Sequence, residues 1–210
     1  METFIEQPKD AQGRIIDTQG RIIDTALMYF GKYGYKKTSM SDIAKSCGIS
    51  KGLIFHHFGT KKKLYLALVE HSKEILLEGF YNDAVNARDD LFDRIKIASE
   101  MKIRALKNHP YISTFLMSFY LEKDAEVADI VEDIIPTGEQ FSRDLVLREG
   151  DGFKFKDGVD INIVMRILML IAKGYSQEMA ESQYDYDGLV AEFETTMDLL
   201  KNNLYKGEYL

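Results

Sequence analysis

The residues best suited to chemistry lie between Lys32 and Lys63. This stretch carries eight lysines against a single acid, Asp42. Within it stands Ser50-Lys51-Gly52-Leu53, followed by Phe55, His56 and His57. Lysine ammonium groups attract phosphate, and the free N–H groups at a helix start do the same. In a short helix entering a major groove, Lys51 either reads guanine O6/N7 or touches phosphate. Gly52 allows close backbone approach, and Leu53 meets a thymine methyl. A solvated lysine face is the plainer reading of the charge alone.

Other chemistries find less support. His56 and His57 are adjacent, so on a helix they point about 100° apart and share no face. Zinc sites favour i, i+4 pairs, and neither His71 nor His109 has a second His or Cys at ligand spacing. No metal and no cofactor is expected. Cys47 is the only cysteine, which excludes an intrachain disulfide, a four-thiolate zinc site and a CxxC pair. Followed by Gly48, it reads as a small buried packing residue. The motifs GxSxG, GxxxxGK[ST] and GxGxxG are absent, and acidic pairs such as Asp89-Asp90 suit a solvated helix surface. The chain is not expected to be an enzyme.

The elements that must position the basic stretch are helical. Ile22, Ile23, Ala26, Leu27 and Phe30 form the stripe of an amphipathic helix, and Gly31 and Gly34 are expected to end it. GRIIDTQ at 13–19 is repeated as GRIIDTA at 20–26. The repeat keeps the stripe in line to within ~20° and reads as a backward extension of that helix. Ser39-x-x-Asp42 resembles a capping box, and Gly48 stops the short helix it opens. Ser50 caps a second short helix, Gly59 ends it, and Thr60 caps a long one. Two short helices joined by a turn containing glycine have the sequence shape of a helix-turn-helix.

TSMSDIAKSCGISKGLIFHHFGTKKKLYLAL, with the preceding A-L-x-x-F-x-x-x-G-Y-x-x-T-S, resembles the DNA-binding region of the TetR family of bacterial transcriptional regulators. The resemblance covers about residues 20–70. It implies DNA contacts at Thr38, Ser39, Ser50, Lys51, Gly52, Leu53, Phe55, His57 and Lys61. Two positions depart from the family pattern. Phe55 stands where a tyrosine hydroxyl usually reaches phosphate, and Leu53 stands where Thr or Ser is common. Ile54 and Phe58 read as core.

The rest of the chain is helical in pattern. Leu91 to Ala105 mark one helix, closed by His109-Pro110, and Tyr111 to Leu121 is a short apolar segment. Val127 to Leu145 mark another helix, which Pro136 should kink or divide. Glu149–Gly158 is the clearest loop. Val159–Ala180 is apolar on several faces and is expected to be buried on more than one side. The last helix carries Val190, Phe193, Met197, Leu200 and Leu204 at 3-4-3-4 spacing, which suits helix–helix packing. Aromatic and methionine side chains in Tyr111–Tyr120 and Met165–Met179 suit either an ordinary core or a cavity lining. Since proteins similar to the TetR family commonly enclose an inducer there, the candidate pocket residues are Arg104, His109, Tyr111, Phe115, Phe119, Arg166, Met169 and Tyr175. An apolar or aromatic inducer would fit them.

Composition supports this plan. With 45% apolar and 29% charged residues, the chain is neither disordered nor fibrous. Three Pro and 15 Gly punctuate it sparsely, as long helices require. Residues 1–70 carry net +4 and residues 71–210 net −11, so one end is suited to a polyanion. The longest stretch free of Asp, Glu, Lys and Arg has 14 residues, Asn108 to Leu121, too short to span a bilayer. No signal peptide is visible, and a soluble cytoplasmic protein is expected. The expected fold is all-α with about nine helices. A helix-turn-helix domain at 10–60 (the motif proper at about 39–58) precedes a regulatory, ligand-binding and dimerisation domain at 61–210. The expected function is a sequence-specific transcriptional regulator, a repressor released by a small molecule, acting as a homodimer on a palindromic double-stranded operator. The alternative is a helical protein-interaction module with a basic end and no operator.

Overall fold

A computed structural model describes residues 18–78, 84–180 and 186–210. Residues 13–17 of the first copy of the seven-residue repeat, and the head's start at residue 10, lie outside the described residues. Among these residues there are nine α-helices: α1 Thr18–Lys37, α2 Met40–Cys47, α3 Lys51–Phe58, α4 Lys61–Glu78, α5 Leu91–Asn108, α6 Pro110–Leu121, α7 Ala128–Val146, α8 Ile161–Ala180 and α9 Tyr186–Leu204. The all-α expectation therefore holds.

Helix α1 buries the predicted stripe: Ile22, Ala26, Leu27 and Phe30 are all buried. Gly34, at φ 73° and ψ 175°, breaks it as expected, although one further turn follows. Gly31 does not end the helix. A Cβ there would lie 3.0 Å from the Phe115 backbone nitrogen, so Gly31 is where α1 and α6 cross in backbone contact.

The buried apolar residues form two clusters, and the division does not fall at residue 60. The first joins the head to the near end of the body: Phe30, Ile43, Ile54, Tyr65, Phe115 and Val131 belong to one core. Tyr65 sits at its centre, its ring edge-on to Phe30 at 5.1 Å, Tyr35 at 5.1 Å and Phe115 at 5.3 Å. Such pairs each contribute about 0.5–1.5 kcal/mol beyond area burial. The second cluster fills the far end of the body around Phe92, Met165, Phe193 and Tyr205.

The glycine-rich loop is pinned to that far end. Asp151–Lys154 forms a 3₁₀ turn, and Phe155 makes a single β-bridge with Tyr205. The fully buried Arg94 guanidinium pairs with Asp151 and also donates to the Val146 carbonyl at 2.6 Å. Removing either partner would leave a buried charge unpaired, at a cost of about 3–5 kcal/mol.

The remaining helical expectations fare differently. Pro136 lies inside α7 without dividing it. The position is exposed, so the carbonyl deprived of its N–H partner can be solvated. The 3-4-3-4 stripe of α9 faces inward, with Phe193 and Met197 buried in the second cluster and Leu200 and Leu204 packed against it. The chain also does not cover α8 on every side. Val164, Met165 and Leu168 are buried, while Ile163, Ile167 and Leu170 are exposed at 59%, 43% and 59%. No described helix is long and apolar enough to cross a membrane.

Candidate nucleic-acid interface

Side-chain caps and glycines build the α2–α3 unit as the sequence requires. The Ser39 hydroxyl accepts the Asp42 N–H at 3.1 Å and donates to the Asp42 carboxylate at 2.6 Å, fixing the start of α2. Gly48 ends α2 in the left-handed region at φ 65°, ψ 31°. Its N–H donates to the Lys45 carbonyl at 3.1 Å and the Ile49 N–H to the Ala44 carbonyl at 3.0 Å. These two bonds are a Schellman motif, which satisfies carbonyls a helix end otherwise leaves free. The Arg21 guanidinium covers the Cys47 carbonyl at 2.6 Å, placing a cation at that negative helix end. The Ser50 hydroxyl then accepts the Leu53 N–H at 3.2 Å and opens α3.

Helix α3 has one buried edge and one open face. Ile54 and Phe58, four residues apart, are buried against the head core. Lys51, Gly52, Phe55, His56 and His57 are exposed, and Leu53 is half-buried beside them. The Lys51 ammonium lies 5.6 Å from the Phe55 ring centroid. A Cβ on Gly52 would meet only the Ser50 hydroxyl, at 3.8 Å, so the outer face there is open. The helix therefore presents a cationic N-terminus and a flat aromatic side to the outside, while its packing fixes its rotation.

Two predicted contacts are placed differently. Thr38 is 2% exposed, and its hydroxyl lies 2.9 Å from the Gly34 carbonyl and 3.1 Å from the Tyr29 carbonyl. Beside the break at Gly34 the Thr38 hydroxyl donates to these α1 carbonyls instead of facing outward. The Lys61 ammonium lies 4.2 Å from the centroid of the Tyr35 ring. Burial holds it below the ordinary lysine value, against the pull of Glu126, Asp124 and Glu122. It is drawn toward the joint between head and body. Lys62 is paired with Asp129 at 2.9 Å. The exposed lysines of the basic stretch are instead Lys32, Lys36, Lys37, Lys45, Lys51 and Lys63. Only the lysine count pointed to Lys32, Lys36, Lys37, Lys45 and Lys63.

The eight pocket candidates are not gathered in one place. Phe115 and Phe119 belong to the core shared with the head. Tyr111, Arg104 and Arg166 are exposed, with Arg104 paired to Glu100 at 2.6 Å. His109 joins α5 to α6, its N–H bonded to the Leu106 carbonyl. Tyr175 stands edge-on to Phe193 at 5.3 Å, with its hydroxyl 3.2 Å from both Glu192 and Thr196. Met169 alone of the eight lines the cleft between α5, α7 and α8. The apolar periodicity was correct, but it could not say which helix each face would meet. No group of three or more potential metal ligands occurs among the described residues.

The sequence profile described as "Bacterial regulatory proteins, tetR family" matches residues 22–68, which span the α1 stripe, both short helices and the start of α4. The chain carries the DNA-binding region of that family over those residues. It is a DNA-binding transcriptional regulator. The HTH-type transcriptional repressor Rv1474c of Mycobacterium tuberculosis is 27% identical over 183 residues, covering 83% of this chain and 86% of that protein. Among solved structures, the ketosteroid transcriptional regulator KstR2 of Mycobacterium tuberculosis superposes with a TM-score of 0.69 at 16% identity. That match covers 92% of this chain and 98% of that one. FadR of Bacillus subtilis, solved in complex with stearoyl-CoA, superposes with a TM-score of 0.68 at 16% identity over 89% of this chain and all of that one. At such identities the two structures show a shared fold and nothing more.

Proposed function

We propose that this regulator is a TetR-family repressor that binds a palindromic operator as a homodimer and is released by a small molecule held in its body. The observation that carries the reading is the open face of α3, whose opposite edge is locked by Ile54 and Phe58. Residues 10–60 form the DNA-binding head and residues 61–210 the regulatory body. Ser39, Ser50, Lys51, Gly52, Leu53, Phe55 and His57 are the DNA-facing group. Lys63, exposed at the start of α4, takes the phosphate role expected of Lys61. The protein acts by binding and not by turnover.

The dimer reading rests on α8 and α9. Ile163, Ile167 and Leu170 leave an apolar stripe on α8, and Leu199 is 62% exposed on α9. Beside the stripe runs an open groove of about 310 Å³, whose lining includes Ile163, Val164, Ile167, Leu168, Leu200 and Leu204. Two copies paired about a two-fold axis would cover both faces in a four-helix interface. That pairing would set two α3 helices one DNA turn apart, about 34–36 Å. The relative Rv1474c is named a repressor, and FadR was solved in complex with stearoyl-CoA, so both repression and ligand binding have precedent in similar proteins.

The test selects duplexes from random DNA with the full-length protein and then titrates the best one at rising salt. A selected two-fold sequence and a fall of ~10³-fold or more between 50 and 200 mM salt are expected if about six phosphates are contacted. Binding without sequence preference or without salt dependence would overturn the reading in favour of an interaction module.

A further inference from the structure

The cleft between α5, α7 and α8 has an unusual charge pattern. Its volume is about 120 Å³. Twelve residues line it: eight are apolar, Ser99 and Ser142 are hydroxylic, and the only charged ones are Lys102 and Arg143. Both charges are positive, although residues 71–210 together carry net −11.

Neither cation has a carboxylate partner among the described residues. The Lys102 ammonium donates to the Ser176 hydroxyl at 3.3 Å and makes no ion pair. The Arg143 guanidinium donates to the Asn162 side-chain carbonyl at 2.6 Å, again a neutral partner. The surrounding lysines behave differently. Lys96 on the same helix pairs with Asp198, and Lys173 on α8 pairs with Glu139. Burial pushes Lys102 below the ordinary lysine value, and no carboxylate offsets that push. A cation held in an apolar surround without a counterion is costly, so it marks a place where an anion would be stabilised.

We infer that this cleft takes a small apolar carboxylate, its hydrocarbon part against Ile95, Met165 and Met169 and its anionic group between Lys102 and Arg143. The inference rests on the ligand-responsive reading above and specifies the ligand class. Size limits the occupant. A closed cavity of roughly 150 Å³ holds a benzene-sized molecule, so this smaller, open cleft takes only the ring of benzoate or a few methylenes of a short-chain fatty acid, with the rest of the ligand at its mouth. The charges turn the expectation of a merely apolar or aromatic ligand into that of an acid.

The experiment uses the full-length wild-type protein with benzoate and hexanoate, each against its uncharged amide, benzamide and hexanamide. Binding is followed by calorimetric titration, and DNA affinity is measured in the same samples. At least one carboxylate should bind at least about tenfold more tightly than its amide, as a charge-assisted hydrogen bond predicts. Lys102→Met should remove that preference and Lys102→Arg should restore most of it, with DNA affinity unchanged in both. Equal binding of acid and amide, or no binding of either carboxylate, overturns the inference, and the wild-type comparison decides this even if a variant fails to fold. Failure of the broader reading looks different. A protein that binds no DNA sinks the regulator whatever the carboxylates do. Release from DNA by a neutral ligand leaves the regulator standing and removes only the acid.

Discussion

The Glu122 carboxylate accepts the Tyr35 amide N–H at 2.7 Å, tying the turn after α6 to the break in α1. Its other oxygen accepts the N–H groups of Lys123 and Asp124, both at 2.9 Å, so one side chain organises both sides of the joint. The Ser118 hydroxyl adds a bond to the Phe30 carbonyl at 3.0 Å, and Gly31 brings the two backbones together. Helix α6 is thereby fastened to the head along most of its length. Any change in the body that moves α6 moves α1, and with it the platform that holds α3.

Glu122→Ala should leave the Tyr35 N–H unpaired in a partly buried place and destabilise the protein by about 1–2 kcal/mol, while Glu122→Gln, which keeps an acceptor, should lose less. Urea unfolding of the two variants checks the order. Equal losses would mean that charge, and not the hydrogen bond, holds the joint.

Gly31 and Gly52 make a contrasting pair. Gly31→Ala puts a methyl 3.0 Å from the Phe115 nitrogen, so backbone must shift, at a cost of about 1–3 kcal/mol. Gly52→Ala meets only open space and a hydroxyl at 3.8 Å, and in a helix it should raise stability by up to about 1 kcal/mol. Its effect should fall on DNA binding instead, because the added methyl stands on the outer face of α3. Thermal unfolding and duplex titration of both variants separate the two roles. A destabilised Gly52→Ala that binds DNA normally would contradict the assignment.

Local signals were legible in the sequence where local chemistry decides the structure. Ser39, Gly48, Ser50 and Gly59 fix where α2 and α3 start and stop, and each does so through bonds within a few residues. Gly31 was misread because a glycine that ends a helix and one that lets two helices touch look alike in one dimension. Thr38 and Lys61 were misplaced for a similar reason. The carbonyls beside the α1 break and the Tyr35 ring draw them inward, and neither partner is identifiable from a motif. The apolar faces of α8 and α9 were visible as periodicity, but which side meets the chain's own core depends on helix rotation. Lys102 carried no local signal at all. Its meaning comes only from the absence of an acid among the residues that line the cleft with it.

Lys63→Ala should weaken binding to all duplexes alike and lower the salt slope by about 1, as loss of one phosphate contact requires. Lys61→Ala should change the salt slope less, because its ammonium sits on the Tyr35 ring in the joint. Salt titrations of both variants on one selected duplex give the comparison directly. A larger slope change for Lys61 would show that it leaves the joint to reach DNA.

The dimer face is tested on α8. Ile163→Glu combined with Leu170→Glu places charges on side chains that the single chain leaves 59% exposed, so folding should be spared. Sedimentation at micromolar concentration should show dimer for the wild type and monomer for the double variant. Leu200 and Leu204 are poorer choices, because they also pack in the second core cluster. A double variant that stays dimeric would move the interface elsewhere.

Asp90 links stability to pH. One of its carboxylate oxygens accepts the N–H groups of Phe92 at 3.0 Å and Asp93 at 3.4 Å, capping α5. The same carboxylate pairs with Lys201 at 3.2 Å and Lys154 at 3.3 Å, so it also fastens α9 and the pinned loop. Burial alone would raise its pKa, but Lys201 and Lys154 outweigh burial and hold the carboxyl below the ordinary aspartate value. A folded-state pKa below the unfolded one, about 3.9, means that the folded state favours the ionised form. The stabilisation is therefore fully present at neutral pH and is lost as pH falls below about 4 through the folded value. Asp90→Asn keeps a capping oxygen but no charge, so it should be less stable than wild type at pH 7 and nearly equal to it in strong acid. Asp90→Ala loses the cap as well and should remain about 0.5–2 kcal/mol below wild type even there. Denaturant unfolding of the three proteins from pH 7 down to pH 3 provides the measurement. A constant gap between Asp90→Asn and wild type across that range would show that the two lysines contribute nothing through charge.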